Sequence, residues 1–167
     1  NGHLGDHGVA ILQARGDLSL TLAVASDCQP LHGLIDCMRA ACPDIHCLRD
    51  ATRGGLATVL NEFAQSSGVG IRLDEESLPV RDAVRGVCEI LGLDALYLAN
   101  EGKLAAVVPA EAAGRTLAAM RGHPGGADSR IIGEVIAAAR PRVTLRTAFG
   151  SERVVDMLVG EQLPRIC

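Results

Sequence analysis

Three features of the 167-residue sequence have the residue types and spacing for chemistry. The first is the final stretch Pro164-Arg165-Ile166-Cys167. A cysteine in last place has no packing role to serve, so its thiol is the part to explain. Gly160 offers a hinge before it, and Pro164 stiffens the approach and biases Leu163 towards an extended backbone. Fully extended from Gly160, the segment reaches roughly 23 Å at about 3.3 Å per residue. That describes a thiol on a short arm. Arg165 favours the thiolate and the terminal carboxylate opposes it, so a reactive Cys167 needs a partner or a distant pocket. A frayed terminus with an incidental cysteine is the alternative. The common prenylation motif, which places three residues after the cysteine, is not matched.

The second feature is Asp50-Ala51-Thr52-Arg53-Gly54-Gly55, followed by Leu56, Val59, Leu60 and Phe63 at helical spacing. A strand, a glycine-containing turn and a helix start present unpaired backbone N–H groups to an anion, and Thr52 and Arg53 add side-chain donors. No Gly-Lys-Ser/Thr follows, so this is not a Walker A loop. Ordinary helix capping by Asp50 or Thr52 explains the same residues. The third feature is Glu101, in Asn100-Glu101-Gly102-Lys103, at the mouth of the apolar run Leu104-Ala105-Ala106-Val107-Val108. A carboxylate held there is a candidate general base, and a solvated turn glutamate paired with Lys103 is the plain alternative. His7 and His46 read as a surface residue and a satisfied sheet residue rather than ligands.

These residues need elements to position them. Asp6 is placed to cap a helix that begins in Gly5-Asp6-His7-Gly8 and runs through Val9-Ala10-Ile11-Leu12. Leu18, Leu20, Leu22 and Val24 alternate like a strand, which Ser26-Asp27 breaks. Pro30 opens a helix with Leu31, Leu34, Ile35 and Met38 on one face, and Pro43 closes it. Ile45 to Leu48 reads as a short buried strand, and Val69 to Leu73 as another. Pro79 starts a helix carrying Val80, Val84, Val87, Cys88 and Leu91. The run from Leu104 to Val108 has the unbroken hydrophobicity of a central strand. Pro109 and Glu111 begin a helix through Ala113, Leu117 and Met120, and His123-Pro124-Gly125-Gly126 forms a loop. Stretches 131–136, 143–147 and 154–159 complete the set, the last two as an antiparallel hairpin. The class is α/β (α+β), a mixed sheet with flanking helices.

The bulk numbers narrow the function. A chain of this length buries a real core, and one domain is the default. Hydrophobic residues reach 48% but aromatics only 2%, so the core is built from Val, Leu, Ile and Ala. A formal charge of −4 with scattered Lys and Arg provides no basic footprint for nucleic acid. No apolar run approaches a membrane span, and no signal peptide is visible. The chain opens on Asn1 without an initiator methionine, which predicts a piece of a longer protein. Six cysteines, at 28, 37, 42, 47, 88 and 167, form no close Cys-x-x-Cys pair. Cys37 and Cys88 read as small core residues, and Cys37, Cys42 and Cys47 are too divided between helix and strand to share a metal. Free thiols in a reducing cytosol are expected.

Taken together, Gly5-Asp6-His7-Gly8, Ser26-Asp27-Cys28, Asp50 to Leu56, Asn100-Glu101-Gly102-Lys103 and the terminal Pro-Arg-Ile-Cys resemble the HypE hydrogenase expression/formation family. That family lies within the aminoimidazole ribonucleotide synthetase (PurM-like) superfamily. The resemblance spans the chain; the Asp-x-Thr-Arg-Gly-Gly loop marks only the superfamily, and the terminal tetrapeptide makes it specific. Family members carry an N-terminal ATP-binding domain that is absent here. The resemblance therefore implies a PurM-like C-terminal domain over 1–159 and a flexible tail over 160–167. It implies [NiFe]-hydrogenase maturation in the cytoplasm: a HypF carbamoyltransferase loads Cys167, ATP activates the amide oxygen, and a thiocyanate forms that supplies cyanide to iron through a HypC–HypD complex.

By the same resemblance Glu101 is the base and Asp50, Thr52, Arg53, Gly54 and Gly55 contribute to holding ATP. Most ATP and Mg2+ ligands fall to the missing domain. The fragment is then expected to fold, bind ATP weakly and not turn over. It is also expected to be monomeric, the full-length protein dimerising mainly through the other domain. Two rival readings stand beside this one: another PurM-like ATP-dependent phosphotransfer enzyme, and a non-catalytic docking module.

Overall fold

The structure, a computed structural model, describes residues 1–16 and 24–158. The alternation at Leu18, Leu20 and Leu22, Val159 and the arm from Gly160 to Cys167 lie outside them, while Val24 is described and sits in no strand. The described residues form five α-helices and two sheets: α1 (Asp6–Arg15), α2 (His32–Ala41), β1 (Cys47–Asp50), α3 (Gly55–Ser67), β2 (Gly70–Asp74), α4 (Asp82–Leu91), β3 (Leu104–Val107), α5 (Ala110–Arg121), β4 (Gly133–Ile136), β5 (Arg142–Arg146) and β6 (Glu152–Val155).

The mixed sheet is present and four-stranded, in the order β4-β2-β5-β6. Strand β2 runs parallel to β5 and antiparallel to β4, and β5 and β6 form the expected hairpin. One face of it carries Ile71, Leu73, Val143 and Leu145, buried against Leu56, Val59, Leu60 and Ala64 of α3. With so few aromatics, this core is assembled from branched aliphatics and alanine, as the composition requires. A second cluster joins Val9 and Leu12 of α1 to Val84, Val87 and Cys88 of α4 around Leu98. A third packs Leu34 and Met38 of α2 on Leu104.

The run from Leu104 to Val108 is not a central strand. Among the described residues, its strand β3 pairs only with β1, antiparallel, in a separate two-stranded sheet. Its hydrophobicity is unbroken because both faces are covered: Leu104 and Ala106 meet the cluster around α2, and Ala105 meets the core under α3. A strand buried on both sides loses its alternation whether or not it has two neighbours.

Other boundaries shift for local reasons. Strand β1 lies two residues later than the apolar tetrad Ile45–Leu48, and its Arg49 and Asp50 are exposed, so it is half-buried. Helix α4 begins at Asp82 rather than Pro79. Gly5, with φ 80°, caps α1 in place of Asp6, which sits in the first turn. Cys37 is only partly buried and Cys42 is the fully buried thiol of that region, while His46 is exposed just ahead of β1. Among the described residues, no helix is long and apolar enough to cross a membrane.

Candidate functional site

Four of the short motifs meet in one place, and Asn100 ties three of them together. Its side chain, 1% exposed, accepts the Gly5 N–H at 2.9 Å and donates to the carbonyls of Ala51 at 2.9 Å and Leu98 at 3.1 Å. Gly8 N–H adds a bond to Ala99 O at 3.1 Å. The start of α1, the end of β1 and the loop ahead of β3 are thereby pinned to a common point. Leaving either partner of such a buried amide unpaired costs about 1–3 kcal/mol, so the arrangement is strongly specified.

Asp27 holds the next residue along. Its Oδ1 accepts the Glu101 backbone N–H at 2.9 Å, and its Oδ2 lies 3.1 Å from Lys103 Nζ. Both side chains are buried, Asp27 to 2% exposure and Lys103 to 8%. The glycine between them serves close approach rather than turn geometry: a Cβ on Gly102 would lie 2.0 Å from the Asp27 carbonyl oxygen. Gln29 Nε2 closes the corner on Gly102 O at 2.9 Å. Lys103 is therefore committed to Asp27, not to Glu101 as the plain reading of that turn had it. Glu101 itself is half-buried.

The loop from Asp50 to Gly55 starts at this same point, since Ala51 bonds both Asn100 and Lys103 O. Gly54 is the N-cap of α3 with φ 74°, and Gly55 follows with φ 61°, a left-handed pair that only glycine adopts freely. Neither Asp50 nor Thr52 supplies a side-chain cap; Thr52 instead accepts the Gly55 N–H through its carbonyl at 3.0 Å. A Cβ on Gly55 would strike the carbonyl oxygens of Leu96 and Leu98 at 2.4 and 2.6 Å, and one on Gly54 would meet Thr58 Oγ1 at 2.2 Å. Thr58 Oγ1 is buried without a hydrogen-bond partner among the described residues. Thr52 is half-buried and Arg53 exposed, so the turn presents polar atoms outward at a helix N-terminus, an arrangement that suits an anion.

On the other side of Asp27 a groove of about 420 Å3 opens, lined by Asp6, Ser26, Asp27, Cys28, Arg81 and Lys103 among others. Asp6 Oδ2 accepts from Arg81 Nε at 3.1 Å. His7 Nδ1 lies 2.9 Å from Ser26 Oγ, so His7 braces the segment beside Asp27. Among the described residues no group of three His, Cys, Asp or Glu is placed to hold a metal ion.

The structure thus brings Glu101 and the Asp50–Gly55 turn to one corner, while Cys167 lies outside the described residues. The sequence motifs contain Asp27 and Asn100 without showing their roles, and offer Lys103 only as a partner for Glu101. A signal existed: a buried-run mouth reading Asn-Glu-Gly-Lys needs a partner for its lysine, and Ser-Asp-Cys supplied a carboxylate.

Residues 1–146 match the family model for AIR synthase related protein, C-terminal domain. The carbamoyl dehydratase HypE of Azotobacter vinelandii is 56% identical over all of this chain and 49% of its own length. A crystal structure of the hydrogenase maturation protein HypE in complex with ATP superimposes with a TM-score of 0.92 at 45% identity, covering 99% of this chain and 51% of that one. The crystal structure of a HypE–HypF complex gives 0.89 at 44% identity, covering 94% of this chain and 51% of that one. The chain spans about half the length of the curated relatives it matches. Turn, hub and groove sit in a fold shared along the whole chain with HypE proteins, and the chain belongs to the AIR synthase related family, as its C-terminal domain.

Proposed function

We propose that this chain is the C-terminal half of an ATP-dependent carbamoyl dehydratase of [NiFe]-hydrogenase maturation. The observation that carries the reading is the meeting of the Gly5–Gly8, Ser26–Cys28, Ala51–Gly55 and Asn100–Lys103 motifs around Asn100 and Asp27, in a chain similar throughout to HypE proteins. Residues 1–159 form the domain, and residues 160–167 carry Cys167 between a carbamoyl donor and this corner.

The roles follow from the chemistry. A carbamoyl group on Cys167 becomes a thiocyanate by losing its amide oxygen and two amide protons. ATP, when bound, supplies the phosphoryl group that makes that oxygen a leaving group. Thr52 and Arg53 offer donors to its phosphates, Gly54 and Gly55 allow its close approach, and Asp50 stands at the base of the turn. Glu101, its backbone fixed by Asp27, takes one proton from the amide nitrogen as the oxygen is phosphorylated, passes it to solvent, and takes the second as phosphate leaves. Most nucleotide contacts and any Mg2+ belong to the other half. HypF serves as carbamoyl donor and a HypC–HypD complex as acceptor, in the cytoplasm, with the full-length protein dimeric and this half monomeric alone. Glu101→Gln in the full-length protein tests the assignment: carbamoylation of Cys167 should persist while dehydration is lost, and near-normal thiocyanate formation would remove Glu101 from the role.

A further inference from the structure

The segment from Asn100 to Leu104 has no helix to stiffen it and enters strand β3 only at its last residue, yet it is held at every position. Asn100 N–H donates to Ala51 O at 3.2 Å, and Lys103 O accepts from the Ala51 N–H at 2.9 Å. Glu101 N–H goes to Asp27 Oδ1. Gly102 O accepts twice, from Gln29 Nε2 at 2.9 Å and from Asn1 Nδ2 at 3.2 Å, and Asn1 Oδ1 accepts the Leu104 N–H at 2.7 Å. The same two amides also reach Gly125 O, at 3.4 and 2.8 Å, which ties in the loop His123-Pro124-Gly125-Gly126.

These bonds serve no hydrophobic cluster. Asn1, Asp27, Gln29 and Glu101 lie outside all three, and the clamp includes a buried ion pair, Asp27 with Lys103, whose desolvation is a cost. What the bonds surround is Glu101. It is fixed at its own N–H and at the carbonyl of the residue after it, while its side chain makes no hydrogen bond or ion pair among the described residues. Holding the backbone on both sides fixes the direction in which a side chain leaves it, and a displacement of about 1 Å at a reacting centre costs about 100-fold in rate. We infer that Asp27, Gln29 and Asn1 are positioning residues for the carboxylate of Glu101, an inference that rests on the role of Glu101 proposed above. Asp27 serves Glu101 as a hydrogen-bond acceptor; its charge answers Lys103.

The test compares two double variants of the full-length protein, Asp27→Asn with Lys103→Met and Asp27→Leu with Lys103→Met. Both lack the ion pair and leave no buried charge, and asparagine and leucine are close in shape. They differ in the acceptor for the Glu101 N–H, which only asparagine keeps. Each is carbamoylated with HypF and carbamoyl phosphate, and single-turnover dehydration is followed by intact mass over a range of ATP concentrations. The leucine variant should dehydrate about 10- to 100-fold more slowly at saturating ATP, with the rate of carbamoyl loading and the half-saturating ATP concentration equal in the two. A merely structural role for Asp27 would not divide the rates in this way. Should the leucine variant unfold, Gln29→Met, which keeps the volume and loses the donor to Gly102 O, should slow dehydration in the same manner relative to the native protein. Equal rates in the comparison made would overturn the clamp. Glu101→Gln, run alongside, separates the two claims: if it abolishes dehydration while the rates are equal, only the positioning role falls, and if it dehydrates at a near-normal rate, the assignment of the base falls and the positioning role with it.

Discussion

Replacing Lys103 by methionine is the sharpest test of how the corner is held. Methionine keeps most of the stem volume and removes the ammonium, so the change isolates the charge. Asp27, with 2% of its side chain exposed, would then be a buried carboxylate with one remaining partner, the Glu101 N–H. Breaking a buried pair from one side costs about 3–5 kcal/mol, against about 0–1 kcal/mol for an exposed pair. In a domain of this size each kcal/mol lowers Tm by roughly 2–4 °C, so Lys103→Met should lower it by roughly 6–20 °C. Adding Asp27→Asn removes the orphaned charge while keeping an acceptor for the Glu101 N–H, and the double variant should recover most of the loss. Urea unfolding of the four members of this cycle gives the coupling directly. A loss under about 1 kcal/mol for Lys103→Met, or no recovery in the double variant, would show that the pair behaves as a solvated one and that Asp27 is not held as described.

Two further outcomes follow from single residues. Burial first, and then the nearby Arg81, hold His3 below the ordinary histidine value of 6.5 in the folded chain. Above 6.5 the residue is neutral folded or unfolded; as pH falls through that value the unfolded chain takes the proton first, so folding stability declines until the native residue protonates too. Unfolding free energies from pH 7.5 to 5 should therefore fall more steeply for the native chain than for His3→Gln, and parallel curves would contradict it. Exposed Cys28 should react with iodoacetamide ahead of buried Cys42 and Cys88 in the folded chain; burial also pushes the Cys88 thiol up. Peptide mass mapping that finds Cys42 labelled as fast as Cys28 would refute the packing around α2.

Much of this was legible in the sequence, for particular reasons. Helix α2 follows from Leu34, Ile35 and Met38 recurring on one face, and the β5–β6 hairpin from two apolar runs around Gly150-Ser151. The strand-turn-helix around Gly54 and Gly55 was visible because paired glycines ahead of an apolar helical face have few other uses. What failed was longer in range. Periodicity cannot tell a strand covered on two faces from one with two neighbours, so the run from Leu104 to Val108 reads as the middle of a sheet. Nor can spacing show which carboxylate reaches a lysine: Asp27 lies 76 positions ahead of Lys103, while Glu101 lies two away on the same turn. The cap of α1 went to Gly5 rather than Asp6 because Arg81, from the start of the distant α4, claims the aspartate.

Under the proposed function, Cys167 accepts a carbamoyl group that is then dehydrated at this corner. The intact mass of the full-length protein, after incubation with HypF, carbamoyl phosphate and ATP, tests it most directly. The expected result is a carbamoyl adduct that maps to Cys167 and then loses one water. No adduct, with the same HypF shown to be active on another HypE protein, would contradict it.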